Sequence, residues 1–147
     1  MKTILLAEDN PDDVWIMQRA LKAAGLAYPV HYVQNGREAV DYLYGAGKYA
    51  DRLTYPFPSL VLLDLKMPYL SGLEVLSWIR RESSNRTLVS VFLTSSSDLR
   101  DVEDAYQLGA NAYLVKPSEL GRLTEMLKSM EDFFLGHNQL PPGSLKT

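Results

Sequence analysis

The chain has 147 residues and a formal net charge of −3, the length of one ordinary domain. It has no cysteine, which excludes disulfides, thiolate metal sites and cysteine nucleophiles. No Lys/Arg cluster supports direct nucleic-acid binding, no apolar run approaches the ~20 residues of a membrane span, and the short apolar run before acids in residues 1–10 does not read as a secretory signal.

The chain alternates short apolar runs with amphipathic stretches. Residues 3–7 form a buried-strand candidate that ends on the acids Glu8 and Asp9. Asn10, Pro11, Asp12 and Asp13 then read as a helix start: an N-cap, a first-turn proline, and acids at the positive end of the dipole. Val14, Met17, Leu21 and Ala24 repeat at helical spacing, and Gly25 is a stop signal. Residues 30–33 make a second strand and residues 37–44 a second helix. Residues 45–58, with glycines, prolines and three aromatics, read as a long surface connection. Residues 59–63 are a continuous apolar run, as expected of a strand buried on both faces, and the run ends at Asp64.

Ser71 and Gly72 open a third helix, through Arg81, with Leu73, Leu76 and Ile79 facing inward. Residues 88–93 are a fourth strand ending on Thr94 and Ser95, and residues 98–108 a fourth helix closed by Gly109. Residues 112–115 are a fifth strand ending on Lys116 and Pro117, and residues 119–135 the last helix. Residues 1–135 read as one domain and 136–147, with the turn Pro141-Pro142-Gly143, as a C-terminal tail. Five strand–helix units predict a three-layer α/β fold, a doubly wound parallel sheet of flavodoxin-like order 2-1-3-4-5.

In such sheets the ligand site lies beyond the carboxyl ends of the strands. Glu8, Asp9, Asp64, Thr94, Ser95 and Lys116 all stand there. Three clustered carboxylates repel unless a cation sits among them, and Mg²⁺, hard and oxygen-seeking, suits that donor set. Asp64 can then act as a nucleophile and form an acyl phosphate. Lys116 and the Thr94 hydroxyl can stabilise the transferring phosphoryl oxygens. Taken singly, each residue could be a turn or cap residue; their arrival at successive strand ends is what argues for a site.

These residues resemble the response-regulator receiver domains of two-component signalling. The matching pieces are LLAEDNPDD (residues 5–13), LLDLKMP (62–68) with Gly72, LTS (93–95), Gly109-Ala110 and YLVKP (113–117). The resemblance covers residues 2 to about 135. It implies that Asp64 is the phosphoacceptor, Asp9 a direct Mg²⁺ ligand, Glu8 its acidic neighbour acting through water, and the Lys66 carbonyl a further metal ligand. Thr94 would be the switch hydroxyl, Tyr113 the aromatic that turns inward with it, and Lys116 the phosphate-binding lysine ahead of a cis-proline, Pro117. Glu8 departs from the more usual aspartate.

The resemblance further implies a cytoplasmic single-domain regulator, phosphorylated by a sensor histidine kinase or phosphotransfer protein, and not an enzyme beyond self-phosphorylation and autodephosphorylation. The connection 45–58 and the EDNPDD start resemble the subgroup associated with phytochrome-type kinases. The surface of the fourth helix, fifth strand and fifth helix is the one family members often use for homodimers or targets. Tyr106, Met126, Met130, Phe133 and Phe134 stand as either a partner face or cover for the sheet. Two rivals stay open: an aspartyl-nucleophile phosphatase, disfavoured by Lys66 where a second aspartate is usual, and a phosphate-independent interaction module.

Overall fold

The computed structural model describes residues 1–142. Five parallel strands, β1 (Ile4–Ala7), β2 (Val30–Val33), β3 (Leu60–Leu63), β4 (Val89–Thr94) and β5 (Ala112–Val115), lie in the order β2-β1-β3-β4-β5. The helices α1 (Pro11–Ala24), α2 (Gly36–Tyr44), α3 (Gly72–Arg81), α4 (Leu99–Gln107) and α5 (Leu120–Glu131) follow the strands in turn. This is the expected doubly wound order.

Period-two alternation sorts the central strands between two cores. Leu5, Ala7, Val61 and Leu63 join Ala39 and Tyr42 of α2 and Val75, Leu76 and Ile79 of α3. Ile4, Leu6, Leu60 and Leu62 join Met17, Ala20 and Leu21 of α1 and Leu123, Leu127 and Met130 of α5. Every residue of β1 and β3 is buried, so neither could read as alternating in the sequence.

The local signals act as expected. The Asn10 side chain accepts from the Asp12 and Asp13 amides, and Gly25 ends α1 in the left-handed region at φ +62°. Ser71 and Glu74 form a reciprocal capping box on α3.

The segment 45–58 differs from the surface connection predicted for it. A 3-10 turn, Gly47–Ala50, tucks Tyr49 into the first core, and Phe57 is buried there too. Tyr42, Tyr49 and Tyr55 pack ring against ring, the Tyr42–Tyr49 centroids 4.9 Å apart. The Arg52 guanidinium donates to the carbonyls of Tyr42, Leu43 and Tyr55 at 2.8, 3.0 and 3.2 Å. One side chain thereby satisfies the open carbonyl end of α2 and closes the insert on itself.

The C-terminal end also differs. After α5 the chain widens into a π-helical turn, Asp132–His137, and Leu135 and Leu140 enter the second core. Part of the segment read as a tail is therefore packed; Gly143 lies outside the described residues. Glu131, buried at the end of α5, accepts from the Ala27 and Tyr28 amides. The Lys116–Pro117 peptide is trans, as are all others described, where a cis bond was expected. Among the described residues no helix is long and apolar enough to cross a membrane.

Candidate functional site

Sheet register builds the site. Ala7 and Leu63 are paired partners, and the Asp64 amide donates to the Ala7 carbonyl at 3.1 Å. The next residues, Glu8, Asp9 and Asp64, therefore emerge side by side. One carboxylate oxygen from each lies within 4.8 Å of the other two. Glu8 is buried, Asp64 half-buried and Asp9 exposed.

Gly72 fixes the other side of Asp64. Its amide donates to the Leu65 carbonyl at 2.8 Å. A Cβ at this position would collide with the Asp64 carbonyl oxygen and stand 2.8 Å from the Phe92 ring. The start of α3 can lie this close to the end of β3 only because residue 72 has no side chain. The Asp64 carboxylate accepts from the Leu65 amide at 2.8 Å. Its mouth opens into a cavity of about 340 Å³ lined by Asp64, Leu65, Lys66, Thr94, Ser95 and Ser96.

Lys116 stands at the carboxyl end of β5, as expected, but its nearest carboxylate is not Asp64. The ammonium donates to Glu8 Oε1 at 2.6 Å and lies 3.9 Å from Asp13 Oδ2. The length of Glu8 accounts for this reach across the site. Asp13 thus joins the margin of the site as well as the first turn of α1.

Burial pushes the Glu8 carboxyl up to about 8, the Asp64 carboxyl beside it adds to the shift, and Lys116 opposes both. The other Glu8 oxygen, Oε2, is buried with no hydrogen-bond partner among the described residues. An orphaned, buried oxygen among three clustered carboxylates fits a hard divalent cation: it lacks a partner that such an ion supplies.

Thr94 is buried at the end of β4, and its Oγ1 accepts from the Ser96 amide at 3.4 Å. Tyr113 packs on Phe92, ring centroids 5.9 Å apart, and donates its hydroxyl to the Ser96 carbonyl at 2.9 Å. Burial pushes its phenol up. Ser96 was not singled out in the sequence, because an isolated serine in a polar loop carries no pattern; its role comes from contacts with residues two and seventeen positions away.

Of the apolar residues weighed as a partner face, Tyr106 and Phe133 are exposed, Met130 is buried, and Met126 and Phe134 pack against the second core. Trp15 is exposed beneath Arg19, and Trp78 covers the first core. His31 lies in β2, and His137 ends the π-helical turn.

A parallel sheet in this order, with an acidic triad at its switch point and a lysine and a hydroxyl at neighbouring strand ends, defines a receiver. Residues 4–128 match the response regulator receiver domain family, and the chain belongs to it.

Among solved structures it is similar to response regulator RPA3017 in red light signaling of R. palustris: 35% identity, covering 96% of this chain and 99% of that one, TM-score 0.90. The phosphorylated cyanobacterial phytochrome response regulator RcpA is 35% identical, covering 95% of this chain and 98% of that one, TM-score 0.85. Response regulator Rcp1 of Synechocystis sp. is 34% identical over 95% of this chain and 93% of its own length. Its Mn²⁺-bound form superposes with a TM-score of 0.83, covering 96% of this chain and 99% of that one.

Proposed function

We propose that this domain accepts a phosphoryl group on Asp64 from the phosphohistidine of a sensor kinase or phosphotransfer protein, and signals by a change of surface. The observation that carries this reading is the Asp64 carboxylate at the mouth of a cavity lined by Thr94, Ser95 and Ser96, beside the triad with its orphaned oxygen. Relatives described as phosphorylated and as Mn²⁺-bound support it.

An Asp64 carboxylate oxygen attacks phosphorus, the P–O bond forms, and the P–N bond to the donor imidazole breaks with its electron pair leaving on nitrogen. Glu8, Asp9, Asp64 and the Lys66 carbonyl would hold Mg²⁺, which when bound neutralises charge on the triad and on the phosphoryl oxygens. The Thr94 hydroxyl donates to a phosphoryl oxygen, and Lys116 supplies a mobile positive charge. That charge is in contact with Glu8 in the resting chain, so a bound phosphoryl group competes with Glu8 for it. Hydrolysis reverses the modification: water attacks phosphorus, phosphate leaves, and Asp64 returns as carboxylate. No other substrate is turned over.

Movement of Thr94 toward the phosphoryl group withdraws a hydroxyl from beneath the β4–α4 turn, which Tyr113 already holds from the inner side through Phe92 and the Ser96 carbonyl. The affected surface is that of α4, β5 and α5, where Leu99, Tyr106 and Val115 are exposed; it would serve a homodimer or a downstream protein. The donor is proposed to be a phytochrome-type kinase, on the strength of the relatives' described roles.

The test is intact-mass measurement after incubation with acetyl phosphate and Mg²⁺. One phosphoryl adduct per chain, absent in Asp64→Asn, supports the reading. Unmodified wild type with every donor tried would leave a phosphate-independent module, and turnover of unrelated phosphate esters would indicate a phosphatase.

A further inference from the structure

A second cavity, of about 640 Å³, opens at the edge of the sheet, and Asp64 does not line it. It is larger than the cavity of about 340 Å³ in front of Asp64. The edge strand β2 contributes His31 and Tyr32, and α1 contributes Trp15. The insert 45–58 contributes Lys48, Tyr49 and Tyr55. A concave space of this size, with aromatic walls and few polar groups, has the character of a small-molecule site. Trp15 is 59% exposed and Tyr32 37% exposed, so both offer ring surface to an occupant.

Most polar groups of the lining are already paired. The Tyr42 hydroxyl donates to the Pro56 carbonyl at 2.9 Å, and the Tyr49 hydroxyl to Glu38 at 3.1 Å. The other Glu38 oxygen accepts from the Gln34 amide and the Asn35 side chain, both at 3.4 Å. Glu8 is held by Lys116. Lys48 is different. Its ammonium lies 5.2 Å from the Tyr49 ring centroid and 5.8 Å from that of Tyr55. It forms no ion pair among the described residues. Ring faces attract a cation but accept no strong hydrogen bond, so the three N–H donors stay available to an anion.

The charges also select the sign and the orientation of an occupant. The tyrosine faces that would attract a cationic ligand already hold Lys48 and Arg52. Asp9, exposed where the cavity borders the acidic site, repels an anion there and favours the insert instead. We propose that this cavity binds a small planar aromatic carboxylate, with its ring against Trp15 and Tyr32 and its carboxylate on Lys48. The site stands apart from Asp64 and does not depend on its phosphorylation.

The experiment titrates 2-naphthoate into the full chain, followed by amide and indole NMR, once with Mg²⁺ and once in EDTA. Shifts are expected at residues 30–34 and 47–55 and at the Trp15 indole, in both buffers. They should saturate below ~10 mM, as befits a ligand of about a dozen heavy atoms. Lys48→Gln should weaken binding about tenfold, the loss of one charge-assisted hydrogen bond. Lys48 is exposed, so the rest of that variant's spectrum should overlay the wild type. The neutral naphthalene-2-carboxamide should bind wild type about tenfold more weakly than the carboxylate, and the two should bind Lys48→Gln alike.

Absence of shifts at ~10 mM overturns the proposal. Shifts centred on Glu8, Asp9 and Asp64 that require Mg²⁺ also overturn it, because the carboxylate would then be a ligand of the metal site. So does equal affinity for the carboxylate and the carboxamide, unchanged affinity in Lys48→Gln, or tighter binding of the cationic 2-naphthylmethylamine.

Discussion

Glu8 gives the site a stability signature that can be worked out from its surroundings. Its carboxyl is 2% exposed and held at about 8, against an ordinary value of 4.5. Between those values the folded chain keeps a proton that the unfolded chain has released. Stability therefore falls as pH rises, with a slope of about 1.4 kcal/mol per pH unit from this group. The contribution is fully present below about 4.5, declines through the window, and is gone above about 8.

Glu8→Gln keeps the shape and removes the titration. Guanidinium unfolding in EDTA, at half-unit steps from pH 5 to 9, should show the wild type losing stability relative to Glu8→Gln by about 1.4 kcal/mol per unit, levelling above pH 8. Saturating Mg²⁺ should flatten the wild-type curve, because a cation that binds only the ionised triad of the folded chain stabilises it most where Glu8 is deprotonated. Parallel curves for wild type and Glu8→Gln would refute the assignment of the shift to Glu8.

Other consequences can be checked with single substitutions. Gly72→Ala forces a methyl group onto the Asp64 carbonyl; it should destabilise by about 1–3 kcal/mol and weaken Mg²⁺ binding, read by calorimetry. Arg52→Ala removes donors from three carbonyls; a loss of about 2–3 kcal/mol in denaturant unfolding is expected, with protease sensitivity rising first within residues 45–58. Leu140→Ala, at a position 4% exposed, should cost about 2–4 kcal/mol, whereas a true tail would leave stability unchanged.

The sheet order and the members of the site were legible because they depend on local pattern. Continuous apolar runs mark β1 and β3, and acids, hydroxyls and a lysine follow directly at strand ends. The insert was not legible. Tyr49, Arg52, Tyr55 and Phe57 follow neither a 3.6- nor a 2-residue period, so nothing in the string distinguishes a packed aromatic cap from a decorated surface loop. Leu140 was missed for a similar reason: a lone leucine ahead of two prolines carries no period, and its burial comes from the π-helical turn before it. The pairing of Lys116 with Glu8 rather than Asp64 depends on side-chain reach across more than a hundred residues of sequence. Arg80 was unremarked, yet it donates to the Arg86, Leu88 and Gly109 carbonyls and to Asn111, tying α3 to the amino ends of β4 and β5.

The central claim is that Asp64, and no other residue, carries the phosphoryl group. Borohydride reduction of the phosphorylated chain, followed by peptide mapping, tests this directly, because only an acyl phosphate is reduced to an alcohol. The account predicts homoserine at position 64 and nowhere else, dependent on added divalent cation. Homoserine at Asp9 or another aspartate, 2-amino-5-hydroxypentanoic acid at Glu8 or another glutamate, or a stable phosphate on a hydroxyl or histidine with Asp64 unmodified, would contradict it.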